Sequence, residues 1–97
     1  MRGLLSFQIL WLISREPMNG QQIALELAKC RSSKPTPGTI YPALKELANK
    51  GLIKPSRKGR QVVYHITEEG RKGLADARRY FFQVFGEIIE EEYGQVC

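Results

Sequence analysis

The 97-residue chain has one histidine and two cysteines, too few for a disulfide framework or for the ligand spacing of a zinc site. With one histidine and no clustered carboxylates, no catalytic constellation emerges, so an enzyme is the least favoured class and no cofactor is expected. Acidic residues are scarce as well: 10 Asp and Glu stand against 15 Lys and Arg, a net charge of +5. Nothing in the sequence is apolar over the roughly 20 residues needed to span a bilayer. The longest apolar stretch, residues 4–13, is interrupted by Ser6 and Gln8. Arg2 ahead of it gives it the outline of a signal peptide, but Ser14-Arg15-Glu16-Pro17 follows where a small-residue cleavage site should be. The stretch reads as a buried helix, and the chain as a reduced, cytoplasmic protein without membrane attachment. Internal repeats and low-complexity runs are also absent.

What is present suits one domain. The composition is ordinarily globular, 42% hydrophobic and 26% charged. A chain of this size buries only about 60–65% of its unfolded surface, so it is marginal alone and gains from a partner subunit. Leu5, Ile9, Leu12 and Ile13 fall at helical spacing within residues 4–14, while Phe7, Leu10 and Trp11 make the same helix apolar on its other side, which implies a subunit contact. Pro17 ends it. Asn19, with Gln22 three residues on, forms the capping box of a second helix running to about residue 30. Residues 31–35 are a polar loop. Thr36 then caps a third helix with Pro37 in its first position, ending near Lys50 at Gly51. Pro42 inside it should distort it, and a start at Thr39 remains the alternative.

Beyond Gly51 the period changes. Residues 52–56 are extended, and Pro55 confines them to a sheet edge. Residues 57–60 form a turn with three positive charges, followed by the alternation of Val62, Tyr64 and Ile66 that marks a half-buried strand. Thr67 caps a long last helix from residue 68 to about 93, with Glu68 and Glu69 placed against its dipole. Cys30 reads as a small apolar side chain closing the second helix, Cys97 as a frayed terminus and His65 as an exposed strand residue.

The expected fold is therefore mostly α with a small β-hairpin: a winged helix-turn-helix over residues 1–66 and a dimerisation helix over residues 67–97. In the third helix Ile40, Leu44 and Leu47 share one face and must be core, whereas Gly38, Tyr41 and Lys45 face outward. That outward face suits a DNA major groove, and Arg57, Lys58 and Arg60 at the hairpin tip suit the neighbouring phosphates. Charge follows the same division. Residues 1–66 hold 11 Lys and Arg against 3 Asp and Glu, a net +8; residues 67–97 hold 4 against 7, a net −3. The last helix carries an apolar stripe too wide to leave in water. Leu5, Trp11, Leu74, Phe81, Phe82, Phe85, Ile88 and Ile89 are the expected dimerisation residues, packing this helix on the first and last helices of a second subunit. Each fully buried phenylalanine would contribute about 1.5–3 kcal/mol.

The run Thr36-Pro37-Gly38-Thr39-Ile40-Tyr41-Pro42-Ala43-Leu44, continuing through Leu47 to Gly51-Leu52-Ile53, resembles the central motif of PadR-family transcriptional regulators. Ile9-Leu10, Asn19-Gly20 and Ile23 upstream and Tyr64, Thr67-Glu68-Glu69-Gly70 and Leu74 downstream agree with it, so the resemblance covers about residues 4 to 74. It implies a short-form, homodimeric winged-helix repressor or regulator that binds pseudo-palindromic operator DNA. By position it places DNA contacts at Thr36, Gly38, Thr39, Tyr41 and Lys45 and on the wing. The family often has His-Gly-Tyr where this chain has Asn19-Gly20-Gln21, so Gln21 takes the place of an aromatic; its amide can still bond a phosphate. Some members sense aromatic or planar molecules, for which Trp11, Phe81, Phe82 and Phe85 are the candidate effector pocket here; the simpler reading makes them dimer core, since no polar groups converge on them. The alternative from another class is a winged-helix protein-interaction module, which the +8 module and basic hairpin tip disfavour.

Overall fold

The computed structural model describes residues 2–29 and 36–92, so Cys30, the loop of residues 31–35 and Cys97 lie outside the described residues. The elements run α1 (Arg2–Arg15), β1 (Met18–Asn19), α2 (Gly20–Ala28), α3 (Pro37–Asn49), β2 (Ile53–Lys58), β3 (Gln61–Ile66) and α4 (Glu68–Glu92). α1 stops two residues short of Pro17, because the residue preceding a proline is forced out of the helical region. The capping box of α2 forms as its sequence demands: Asn19 Oδ1 accepts the Gln22 N–H at 2.8 Å, and Gln22 Oε1 accepts the Asn19 N–H at 2.9 Å. α3 begins at Pro37, not at Thr39. Thr36 is extended at its N-cap but makes no side-chain cap; its carbonyl takes the N–H groups of Thr39 and Ile40 instead. Pro42 sits inside α3 without breaking it. The carbonyl its missing N–H would have served belongs to Gly38, which is exposed and open to water.

One junction joins three elements. Gly51, with φ of 76°, takes the left-handed conformation that ends α3. The N–H of Leu52 donates to Leu47 O and that of Gly51 to Ala48 O, each at 3.0 Å, the two bonds of a Schellman cap. Thr67 then locks the entry to α4 onto this turn. Its hydroxyl donates to Gly51 O at 2.6 Å and accepts the Gly70 N–H at 3.0 Å, while its own N–H donates to Leu52 O at 3.1 Å.

The strands form an antiparallel sheet in the order β1-β3-β2. β2 and β3 are the expected hairpin, with Pro55 on an edge strand, paired with Tyr64. The third strand was not legible: Met18 pairs with Tyr64 and Asn19 with Val63, a two-residue strand too short to show alternation. The alternation of β3 fades toward its tip. Tyr64 and Ile66 pack on the core, but Val62 is exposed because the end of the hairpin projects past the helices that would cover it.

The core comes from all layers, with Ile9 and Ile13 of α1, Ile23 of α2 and Ile40 and Leu44 of α3 fully buried. Leu5 (9% exposed) and Leu74 (5%) belong to this same core. Both were expected at a subunit interface, and this is a correction. α1 packs against α4, and both residues lie in one buried cluster, so each is covered within its own chain. Gly70 marks how closely α4 approaches the α3–β2 turn, since a Cβ there would overlap the Leu52 carbonyl, whereas one at Gly73 would make only an ordinary contact at 3.7 Å with Leu52. Gly70→Ala should therefore destabilise the fold by about 1–3 kcal/mol through overpacking. Gly73→Ala should stabilise it by up to about 1 kcal/mol through helix propensity. Thermal unfolding followed by circular dichroism would show shifts of opposite sign; equal shifts would contradict the packing described.

Candidate nucleic-acid interface

The face of α3 opposite the core is open. Ile40, Leu44 and Leu47 hold the helix down, and Thr36, Gly38, Thr39, Tyr41 and Lys45 are all exposed. Pro37 at the first helical position leaves the positive end of the helix macrodipole directed outward beside the Thr36 and Thr39 hydroxyls, which lie 3.2 Å apart. Gln21, in the first turn of α2, is exposed as well. This is a helix fixed by one face and free to present the other.

The wing is longer than its sequence suggested. Arg57 and Lys58, expected in the turn, are the last residues of β2, paired with Val62 and Gln61, and only Gly59 and Arg60 form the connection. Gly59, with φ of 63°, occupies the position where a tight two-residue hairpin loop calls for glycine. Successive strand residues point to opposite faces, so Arg57 and Lys58 cover both sides of the ribbon with Arg60 at its tip. All three are exposed. Among the described residues, the ion pairs join Lys29 to Glu26, Lys50 to Glu46, Lys72 to Glu69 and Arg79 to Asp76; Lys45, Arg57, Lys58 and Arg60 take no part in them. Their charges are available to a polyanion.

Three residues outside the expected DNA contacts support this face. Asn19 caps α2 with its oxygen and donates through Nδ2 to Gln61 Oε1 at 3.3 Å, tying the helix-turn-helix to the first residue of β3. Gly20 is buried against the Tyr41 ring. Tyr64 lies near Tyr41, and burial first, then the neighbouring Tyr41 phenol, push its hydroxyl above the usual phenol range. In the sequence Asn19 was legible as a helix cap, and Asn19, Gly20 and Tyr64 as positions of the family resemblance, but no local pattern brought the three together.

The aromatic residues of α4 fall into separate groups. Phe7 stacks on Phe81 at 5.8 Å between centroids, and Phe81 meets Phe85 at 5.0 Å. Trp11 is 37% exposed on α1 and carries the Arg15 guanidinium over its ring at 5.0 Å. Phe82, 65% exposed, borders a shallow open depression whose other described walls, Ala75, Arg78, Arg79 and Gln83, also belong to α4. Among the described residues Trp11, Phe81, Phe82 and Phe85 thus do not surround one cavity of a single chain. Ile88 is 56% exposed and Ile89 half-buried. No cluster of three metal-ligating side chains occurs among the described residues, and none of their helices is long and apolar enough to cross a membrane.

Three helices, a three-stranded sheet and an exposed basic hairpin define a winged helix-turn-helix protein. The profile of the transcriptional regulator PadR-like family matches residues 9–76. The chain belongs to that family, whose members are transcriptional regulators rather than enzymes. A candidate transcriptional regulator from Thermoplasma acidophilum is similar over 99% of this chain and 94% of its own, with 30% identity and a TM-score of 0.74. RosR of H. salinarum, solved in a complex, shares 30% identity at a TM-score of 0.75, covering 82% of this chain and 72% of its own. The transcriptional regulator BldR from Sulfolobus solfataricus shares 27% identity at a TM-score of 0.79, over 93% of this chain and 63% of its own. No curated protein sequence matches the chain.

The Asn19–Gln61 contact carries a prediction. Asn19→Ala removes both cap and strut and should cost about 1–2 kcal/mol of stability. Asn19→Ser keeps a capping oxygen but cannot reach Gln61. It should retain most of that stability while amide exchange accelerates at Gln61 and Val62, measured by hydrogen–deuterium exchange.

Proposed function

We propose that this chain acts as a homodimer that binds a pseudo-palindromic DNA operator and represses transcription by occupying it. The observation that carries the reading is the open cationic face: the outward side of α3 and the wing are exposed, and Lys45, Arg57, Lys58 and Arg60 are engaged by none of the carboxylates that pair elsewhere among the described residues. Residues 36–50 would enter the major groove, with Gly38 allowing close approach and Tyr41 and Lys45 reaching phosphates or base edges. Thr36 and Thr39 hydroxyls and the Gln21 amide would bond the backbone beside it, and Arg57, Lys58 and Arg60 the flanking phosphates.

The second subunit answers the exposed apolar surface of α4. Phe82, Val84, Phe85 and Ile88 are all exposed, and Leu4 and Trp11 of α1 extend the same apolar character. With Leu5 and Leu74 assigned to the core, the dimer surface reduces to Trp11, Phe81, Phe82, Phe85, Ile88 and Ile89 among the residues first singled out. A planar aromatic effector, if these side chains take one, would need walls from both subunits, because one chain encloses no such site among its described residues.

Selection of bound duplexes from a random pool should recover an inverted repeat with half-sites about one helical turn, or a multiple of it, apart. On that sequence Lys45→Ala and Arg60→Ala should each weaken binding, and Arg60→Ala should reduce the slope of log affinity against log salt by about 1. Affinity unmoved by salt and by both substitutions would instead favour a protein-interaction module. For the dimer, the double substitution Phe82→Asp with Ile88→Asp should yield folded monomers in sedimentation velocity, since both side chains are largely exposed in the single chain. A dimer that survived it would place the subunit contact elsewhere.

A further inference from the structure

Glycine at position 20 has no conformational explanation. Positive φ is confined to Gly51 and Gly59 among the described residues, so Gly20 is not there to adopt a left-handed backbone. It opens α2, where alanine would be the better helix former. The reason lies in space. A Cβ on Gly20 would stand 2.5 Å from Tyr41 Oη, 2.7 Å from Cζ and 3.0 Å from Cε1, which no side chain can accommodate without moving the ring. The hydroxyl end of Tyr41 therefore rests against the bare backbone at the start of α2, although 48% of the residue remains exposed. Tyr64 of β3, which pairs with Met18 just ahead of α2, is a neighbour of Tyr41.

We propose that Gly20 is a positioning residue for DNA recognition: by offering no side chain, it seats the Tyr41 phenol against α2 so that its hydroxyl is presented from α3 in one orientation. The inference rests on the DNA-binding reading given above. An aromatic side chain left free on the surface would have to be ordered on binding, and one held beforehand avoids that loss. The two α-helices thereby act together, with α2 setting the direction of a side chain that belongs to α3. Gly20→Ala would push the ring outward without removing any charge.

A double-mutant cycle tests this, using the selected operator duplex and the full chain. Gly20→Ala should weaken operator binding about tenfold, the scale of one hydrogen bond together with one pre-ordered side chain. The slope against salt should stay unchanged, because no cation is lost. In a Tyr41→Ala background the same Gly20→Ala substitution should have no further effect on affinity. Should Gly20→Ala alone fail to fold, the double variant must regain the melting curve and affinity of Tyr41→Ala, since the added methyl then has room. An equal loss of affinity from Gly20→Ala in both backgrounds, or a double variant that remains unfolded, would overturn the positioning role while leaving DNA binding intact. Wild-type protein that bound no duplex would overturn the DNA reading and this inference with it.

Discussion

The hydroxyl of Thr67 is the point on which the arrangement of the functional elements depends. It donates to the carbonyl of Gly51, where α3 has just ended, and accepts from Gly70, where α4 has just begun. The Thr67 amide meets the Leu52 carbonyl at the root of the wing. Three elements with separate tasks are thus registered through one residue by three hydrogen bonds. Threonine meets the requirement because its single oxygen can donate and accept at once, and because its branched side chain favours the extended backbone that precedes a helix. Gly70 permits the close contact, since any side chain there would strike the same turn. The candidate reading helix, the wing and the long helix consequently share one frame.

Much of this was legible in the residues. The period of Ile40, Leu44 and Leu47 separated the buried side of α3 from Gly38, Tyr41 and Lys45, and the structure divides them the same way. Asn19 with Gln22, Pro37, Gly51 and Thr67 announced the helix boundaries through local chemistry, and boundaries set by local hydrogen bonds are the kind that a sequence can display. What stayed hidden depended on partners far along the chain. β1 consists of two residues whose identity as a strand comes only from Val63 and Tyr64, more than 40 positions away. Leu5 and Leu74 looked like interface residues because a stripe along a helix does not say whether its cover comes from the same chain. Leu74 of α4 lies in the core of its own chain, whereas Phe82, Phe85 and Ile88 are exposed. Gly20 showed only as a position of the family resemblance, because the ring that a side chain there would meet belongs to another helix.

Charge and apolar surface are separated along the molecule. The net +8 of residues 1–66 lies with the winged module, and the net −3 of residues 67–97 with the long helix. In the DNA-binding reading proposed above, that asymmetry would favour approach through the winged module. The exposed phenylalanine and isoleucine side chains sit on the acidic element, whereas the exposed residues of the proposed DNA face belong to α3 and the wing. Binding DNA and pairing with a second copy would therefore draw on different faces and need not compete.

The position of Pro55 bears on self-association of another kind. β2 lies at the edge of the sheet, and a straight edge strand with free N–H groups is a template on which a strand from another molecule can add. Pro55 lacks a donor in the middle of that edge, and Lys54 and Lys58 place like charges where a second copy of the strand would have to lie. Cationic residues that suit a phosphate backbone thus also guard the sheet against growing into fibrous assemblies, so the wing can protrude, bare and unprotected by helices, without making the protein sticky.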